Sequence, residues 1–248
     1  MRLDQYLVEK GFFQSRNKAS TAIKESAVLV DGKIITKANY DITGENVEII
    51  KDVHPYVSRG GLKLEAAIKT FQLDFKDKVV LDIGASTGGF TDCALQFGAS
   101  YVYSVDVGTN QLDFSLLNRD DICVMEQTNI LDVEGFPKPL DFIVMDVSFV
   151  SIEKILPAID RFLTDKNALV CLIKPQYELG NQYFKNGIVK DRHQHLKVLE
   201  KISACFALYN MGIVSLIASP ILGGSGNKEY LAFVKRNRKT NLNFLKLV

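Results

Sequence analysis

Four nearly unbroken apolar runs, "KVVLDIG", "YVYSVDV", "DFIVMDV" and "ALVCLIK", recur between residues 78 and 174. Each is short, rich in β-branched residues and without polar alternation, so each reads as a strand covered on both faces. Amphipathic stretches such as "SIEKILPAIDRFL" and "HLKVLEKISACFALY" separate the later strands. Strands alternating with helices predict an α/β, Rossmann-like, doubly wound sheet, mostly parallel. The last two strand candidates, "IVSLIAS" and "EYLAFVK", are joined by a Gly-rich loop with no helix. They are expected to pair antiparallel at one edge.

The first 55 residues are a different, smaller α+β unit. Leu3, Tyr6 and Leu7 have helical spacing up to Gly11, and Ser15 is expected to cap a second helix over "RNKASTAIK". "VLVDGKII" then carries a hairpin signal at Asp31-Gly32. His54-Pro55 breaks the periodicity, and residues 51–59 are expected to form the joint. With 47% apolar and 24% charged residues the chain is expected to be globular, and its net charge of +1 gives no bulk attraction for nucleic acid. Any basic footprint is local, as between Arg2 and Lys37, where seven Lys/Arg face four Asp/Glu. Cys93, Cys123, Cys171 and Cys205 form no C-x-x-C pair and read as core thiols of a reducing compartment. Arg2, Asp4 and Glu9 interrupt any leader-like apolar core, and no apolar run is long enough for a membrane span. A cytoplasmic protein is expected. His193 and His195 are two apart, do not share a helical face and read as a solvated surface; no metal is expected.

The most specific local signal is "VVLDIGASTGGFTD", a strand ending near Asp82 with Gly84, Gly88 and Gly89 in the turn to a helix. No Gly-Lys-Ser/Thr follows, so it is not a Walker loop, and the glycine spacing is wrong for a dinucleotide fingerprint. Twenty-four residues past Asp82, Asp106 ends the second strand, where a carboxylate can grip both hydroxyls of a ribose. An acid beside the turn suits a ligand with an amino group or positive charge, and S-adenosylmethionine has both.

Two further strand ends are polar: Asp146 closes "FIVMD" and Lys174 closes "LVCLIK". Ending a buried strand in lysine is unusual, because an unpaired buried ammonium is costly. Glu229 opens the final strand, expected beside the one ending in Lys174, and Lys63 follows Gly60-Gly61 in "YVSRGGLKLEAA". Two lysines and two carboxylates at one cleft would suit deprotonation of a poorly nucleophilic hydroxyl, with one cation lowering the other's affinity for its proton. The glycine pair is expected to turn the chain sharply into the helix carrying Lys63.

Nearly the whole chain, up to about Arg236, resembles the TlyA-type haemolysin and ribosomal RNA 2′-O-methyltransferase family. The resemblance is carried by "RLDQYLVEKGFFQSRNKAS", "YVSRGGLKLEAA", "LDIGASTGGFTDCALQFGA", "DFIVMDVSFVS", "LIKPQYELG", "GIVKD" and "SPILGGSGNKEYL". It implies an S-four-type (αL) RNA-binding domain over 1–55, a joint and first helix over 56–77 and an FtsJ-like methyltransferase domain over 78–236; the basic tail over 237–248 lies beyond the resemblance and reads either as a segment that meets RNA or as a frayed end. The resemblance implies a catalytic tetrad of Lys63, Asp146, Lys174 and Glu229, and S-adenosylmethionine as cofactor. The cofactor residues carried over are Asp82, Gly84, Ala85, Ser86, Thr87, Gly88, Gly89, Phe90, Asp106 and Val107, with Asn129 and Ile130 of "QTNILD" beside the adenine and Asp146 shared with the tetrad. Arg2, Arg16 and Lys18 match the basic face of the small domain, and Arg59 is a further RNA candidate. The small domain usually has Gly before its V-x-V strand; here Glu25-Ser26 puts an acid near the expected phosphate face.

The activity implied is methylation of a ribose 2′-hydroxyl of RNA, cytidine by resemblance, in ribosomal RNA or ribosomal subunits. Tyr177, Tyr183 and Phe184 are candidates for base stacking. A non-catalytic ribosome-assembly factor retaining the fold is the alternative, and a membrane-active haemolysin ranks last.

Overall fold

The computed structural model describes residues 1–13, 16–24, 27–49, 55–179, 187–223 and 226–248. The chain forms two compact units, Met1–Pro55 and Tyr56–Val248.

In the first unit, helices α1 (Leu3–Glu9) and α2 (Arg16–Lys24) accompany a small antiparallel sheet. Its strands β1 (Val28–Val30), β2 (Lys33–Ile34) and β3 (Val47–Ile49) lie in the order β2-β1-β3. Asp31 and Gly32 both have positive φ, 47° and 73°, as a tight two-residue hairpin between β1 and β2 requires. Leu3, Leu7, Ala19, Ile23, Val28 and Val30 fill the core. The Ser15 cap and Glu25-Ser26 lie outside the described residues.

The second unit starts with α3 (Gly60–Phe71), β4 (Val79–Ile83), α4 (Gly89–Gln96), β5 (Tyr101–Val105), α5 (Phe114–Leu117) and β6 (Ile122–Met125). It continues with β7 (Phe142–Met145), α6 (Ile152–Phe162), β8 (Ala168–Ile173), α7 (Pro175–Glu178), α8 (Arg192–Leu208), β9 (Met211–Ala218) and β10 (Tyr230–Arg236). The seven-stranded sheet has the order β6-β5-β4-β7-β8-β10-β9. Strands β4 to β8 are parallel, with β4 and β7 adjacent where the winding reverses direction. Ligands of such sheets bind outside the carboxyl ends at that reversal.

The last two strands pair antiparallel, and Tyr230 sits opposite Ile173, so β10 starts where β8 ends. The reversed strand is β10, one place in from the edge, while β9 is outermost. The last two strands thus pair antiparallel at one edge, as expected. Strand β6 escaped the sequence reading because it is short and only Ile122 of its four residues is buried.

Gly60 and Gly61 do not make a sharp turn. Both lie in α3 without left-handed backbone, and a Cβ on Gly61 would stand 2.3 Å from Cγ of Tyr56. A Cβ on Gly89 would stand 2.9 Å from the Gly61 backbone nitrogen. The glycines therefore let the starts of α3 and α4 approach backbone to backbone, which fixes the turn carrying Lys63.

His195 is buried rather than solvated. Its Nε2 lies 2.9 Å from the Val189 carbonyl and its Nδ1 2.9 Å from the Tyr230 hydroxyl. Residues 237–248 are docked rather than frayed: Phe244 enters the core, Arg192 donates to the Leu245 carbonyl, and Thr240 Oγ1 accepts from the Ile213 amide. Cys93 and Cys171 are buried free thiols, and burial pushes Cys93 up to about 12.

Candidate active site

The carboxyl ends of the strands collect the polar side chains. Asp106 follows β5, Asp146 follows β7 and Lys174 follows β8, while Glu229 arrives from the opposite direction just before β10. Lys63 projects from the first turn of α3. Its Nζ donates to Glu229 Oε2 at 2.8 Å and to Asp146 Oδ2 at 3.5 Å. Lys174 Nζ stands 2.5 Å from Asp146 Oδ1 and donates to Ser148 Oγ at 2.8 Å. Gln176 Nε2 donates to Glu229 Oε1 at 3.0 Å. Both lysines and Glu229 are buried. All four residues marked in the sequence meet in one network, and Ser148 and Gln176 extend it.

The two ammonium groups have unequal surroundings. Burial pushes Lys63 down, but Asp146 and then Glu229 outweigh it, and the group is held above its ordinary value. Lys63 is thereby fixed as a cation. Lys174 touches one carboxylate and one neutral hydroxyl.

Beside this network lies a cavity of about 380 Å³. Gly84, Ser86, Asp106, Val107, Asn129, Ile130 and Asp146 line it, seven of the residues marked for a cofactor. Gly84 has φ 82°, and a Cβ there would meet the Asp146 carbonyl oxygen at 2.9 Å, so glycine lets the β4 turn rest on the β7 turn. Asp106 accepts from the amides of Ser86 (2.8 Å) and Gly108 (2.7 Å), which fixes its carboxylate at the rim. Asn129 Oδ1 accepts from the Leu131 amide. Glu126 takes the amides of Asn110, Gln111 and Leu112 and holds the neighbouring loop.

The other residues marked in that turn do not line the cavity. Phe90 packs in the core with Leu64, and Gly88 leaves room for Leu116 and Leu112. Asp82 is fully buried beneath the turn: Oδ2 accepts from Thr91 Oγ1 at 2.7 Å, and Oδ1 has no hydrogen-bond partner. Burial, against the Thr91 hydrogen bond, pushes its carboxyl up to about 7. The sign follows: a carboxyl raised when folded stabilises the fold in acid, and that stability is lost as pH climbs from the unfolded value through 7. Asp82→Asn, which removes the charge and keeps an acceptor for Thr91, is therefore expected to be more stable than wild type at pH 8, by at most about 4 kcal/mol. Denaturant titrations at pH 5 and pH 8 check it; equal differences at both pH values would count against a charged, strained Asp82.

The sequence as a whole identifies the lineage of this sheet. Residues 56–236 match the FtsJ-like methyltransferase model, and residues 1–49 match the S4 domain model. The chain belongs to the FtsJ-like methyltransferase family. It is 41% identical to Hemolysin A of Brachyspira hyodysenteriae, covering 94% of this chain and 98% of that one. It is 35% identical to the 16S/23S rRNA (cytidine-2′-O)-methyltransferase TlyA of Mycobacterium tuberculosis, over 94% of this chain and 89% of the relative. A solved chain from Streptococcus thermophilus, described as a candidate hemolysin, superimposes with a TM-score of 0.79 at 40% identity, covering 99% and 93% of the two chains.

In the S4 domain of this methyltransferase, Arg2 and Arg16 are exposed and share one buried carboxylate. Arg2 makes two 3.0 Å bonds to Asp4, and Arg16 Nη2 donates to Asp4 Oδ2 at 3.0 Å. The Lys18 side chain lies outside the description, as do Tyr183 and Phe184. Arg59 is half-buried at the N-cap of α3. Tyr177 is half-buried against Phe149, with ring centroids 5.1 Å apart. Phe149, unmarked in the sequence, is 90% exposed and has φ 64°, a strained backbone for a bulky residue. Among the described residues no helix is long and apolar enough to cross a membrane.

Proposed function

We propose that this methyltransferase transfers a methyl group from S-adenosylmethionine to a ribose 2′-hydroxyl of ribosomal RNA, with Lys174 as general base. The observation that carries the reading is the buried Lys63–Asp146–Lys174–Glu229 network, which shares Asp146 with the adjoining cavity. The cavity fits the cofactor: about 380 Å³ is within the range of small-molecule sites, and Asp106 offers the remaining lone pairs of a fixed carboxylate to ribose hydroxyls. Asp82 Oδ1, buried beneath the turn beside that cavity, is left without a hydrogen-bond partner. Asn129 and Ile130 would border the base.

When bound, S-adenosylmethionine supplies a methyl on a sulfonium, and the sulfur keeps the electron pair of the broken S–C bond as a neutral thioether. Lys174, as neutral amine, takes the 2′-hydroxyl proton while that oxygen forms the new C–O bond. Of the two lysines it is the one assigned as base, because it faces one carboxylate where Lys63 faces two. Lys63 stays an ammonium and keeps Glu229 and Asp146 in place. Phe149, exposed beside the cavity, offers a face for a base swung out of its stack. Arg2 and Arg16 present two guanidinium groups to RNA phosphates. The M. tuberculosis relative is named for cytidine in small- and large-subunit RNA, so a cytidine ribose is the acceptor expected here.

The test is methyl transfer from labelled S-adenosylmethionine to separated ribosomal RNAs and to intact subunits, followed by mapping of the labelled nucleotide. Label on a ribose 2′-oxygen is expected. Label on a base, or on no RNA or subunit, would sink the reading. Independently, cofactor at about one hundred times its Kd is expected to stabilise the protein by roughly 2.7 kcal/mol in a thermal shift.

A further inference from the structure

Lys174 makes two close contacts, and they differ in kind. Asp146 Oδ1 is 2.5 Å from Nζ, yet that oxygen receives no aligned hydrogen bond, so the contact is ionic and sets no direction. Ser148 Oγ, at 2.8 Å, accepts a hydrogen bond from the same Nζ. Ser148 is two residues beyond Asp146, exposed, and lines the cavity beside it.

A neutral lysine amine has two N–H bonds and one lone pair at tetrahedral angles. A freely rotating Nζ would spread that lone pair over all three positions. One fixed acceptor removes a position and confines the lone pair to the remaining two. A carboxylate in the serine's place would also give direction, but it would hold the ammonium and oppose the proton loss that frees the lone pair. A hydroxyl directs without adding charge. The backbone supports this placement, because Gly84 lets the β4 turn rest on the Asp146 carbonyl and the left-handed Phe149 ends the segment immediately after Ser148.

We propose that Ser148 is a positioning residue for the methyl transfer: its hydroxyl aims the Lys174 amine, while Asp146 supplies charge. The inference rests on the reading of Lys174 as base. On ribosomal RNA shown to accept label from the wild type, Ser148→Ala is expected to lower the single-turnover rate at saturating cofactor roughly tenfold, the worth of one hydrogen bond to a charged group. Cofactor Kd by calorimetry is expected to stay within about twofold, since an exposed hydroxyl on one wall is a small part of the site. Ser148→Thr, which keeps the acceptor, is expected to restore most of the rate. Three results would each overturn the role: a wild-type rate in Ser148→Ala, a loss confined to cofactor affinity, or a threonine variant as slow as alanine. A wild type that labels no RNA brings down the underlying reading and this inference with it. Wild-type speed in Ser148→Ala beside an inactive Lys174→Ala removes the positioning role alone.

Discussion

Lys174→Ala is expected to lower methyl transfer to RNA by about 10²- to 10⁴-fold, the range a positioned general base contributes. Cofactor and RNA binding are expected to survive. The fold should survive as well, because Asp146 keeps Lys63 at 3.5 Å and is not stranded as a lone buried carboxylate. Single-turnover rates, cofactor calorimetry and RNA retention on the same preparations separate these effects. Undiminished methylation would remove Lys174 from the mechanism. Parallel loss of RNA binding and rate would instead make it a substrate contact. A chain that binds RNA and cofactor equally well in both forms, with no transfer in either, would be a non-catalytic factor retaining the fold.

The sheet was legible because its central strands are buried on both faces. A run such as "ALVCLI", every residue of it buried as β8, leaves few alternatives to a covered strand. β3 and β6 were not legible for the converse reason, since short strands with half-exposed residues look like any loop with two β-branched residues. The four charged residues of the network were legible because each breaks the local rule at the end of a buried strand or the start of a helix. Ser148 and Gln176 break no rule. A serine three places past a strand end and a glutamine after proline are ordinary polar residues until the fold brings Lys174 and Glu229 to them.

The glycines show the opposite error. In "GASTGGF" every glycine looks like a place for a ligand to approach the backbone, but only Gly84 lines the cavity. Gly88 and Gly89 make room for α5 side chains and for α3, and no local pattern distinguishes a glycine needed by a ligand from one needed by a neighbouring helix. His195 is the same case in a polar residue. Helical spacing separates it from His193, but only the fold supplies the Val189 carbonyl and Tyr230 hydroxyl that satisfy a buried imidazole.

Lys63→Met is expected to destabilise the protein by about 3–5 kcal/mol at pH 8, since it strands Glu229, a carboxylate 2% exposed, without its cation. In the wild type, Lys63 is raised above its ordinary value of 10.5, so its contribution is complete below that pH and is lost only as pH rises through the folded value. Across the neutral range the wild-type pair therefore does not titrate through Lys63. In the variant a buried lone carboxylate takes up a proton more readily, so the deficit should narrow as pH falls toward 5. Lys63→Met combined with Glu229→Gln removes both charges and should recover most of the stability while leaving methyl transfer impaired. Denaturant midpoints for the two singles and the double at pH 5 and 8, with rates on the same proteins, complete the cycle. A Lys63→Met variant as stable as wild type would mean the buried pair contributes nothing net to the fold. Full activity in the double variant would mean that Lys63 and Glu229 serve the fold alone and that Asp146 and Lys174 carry the chemistry without them.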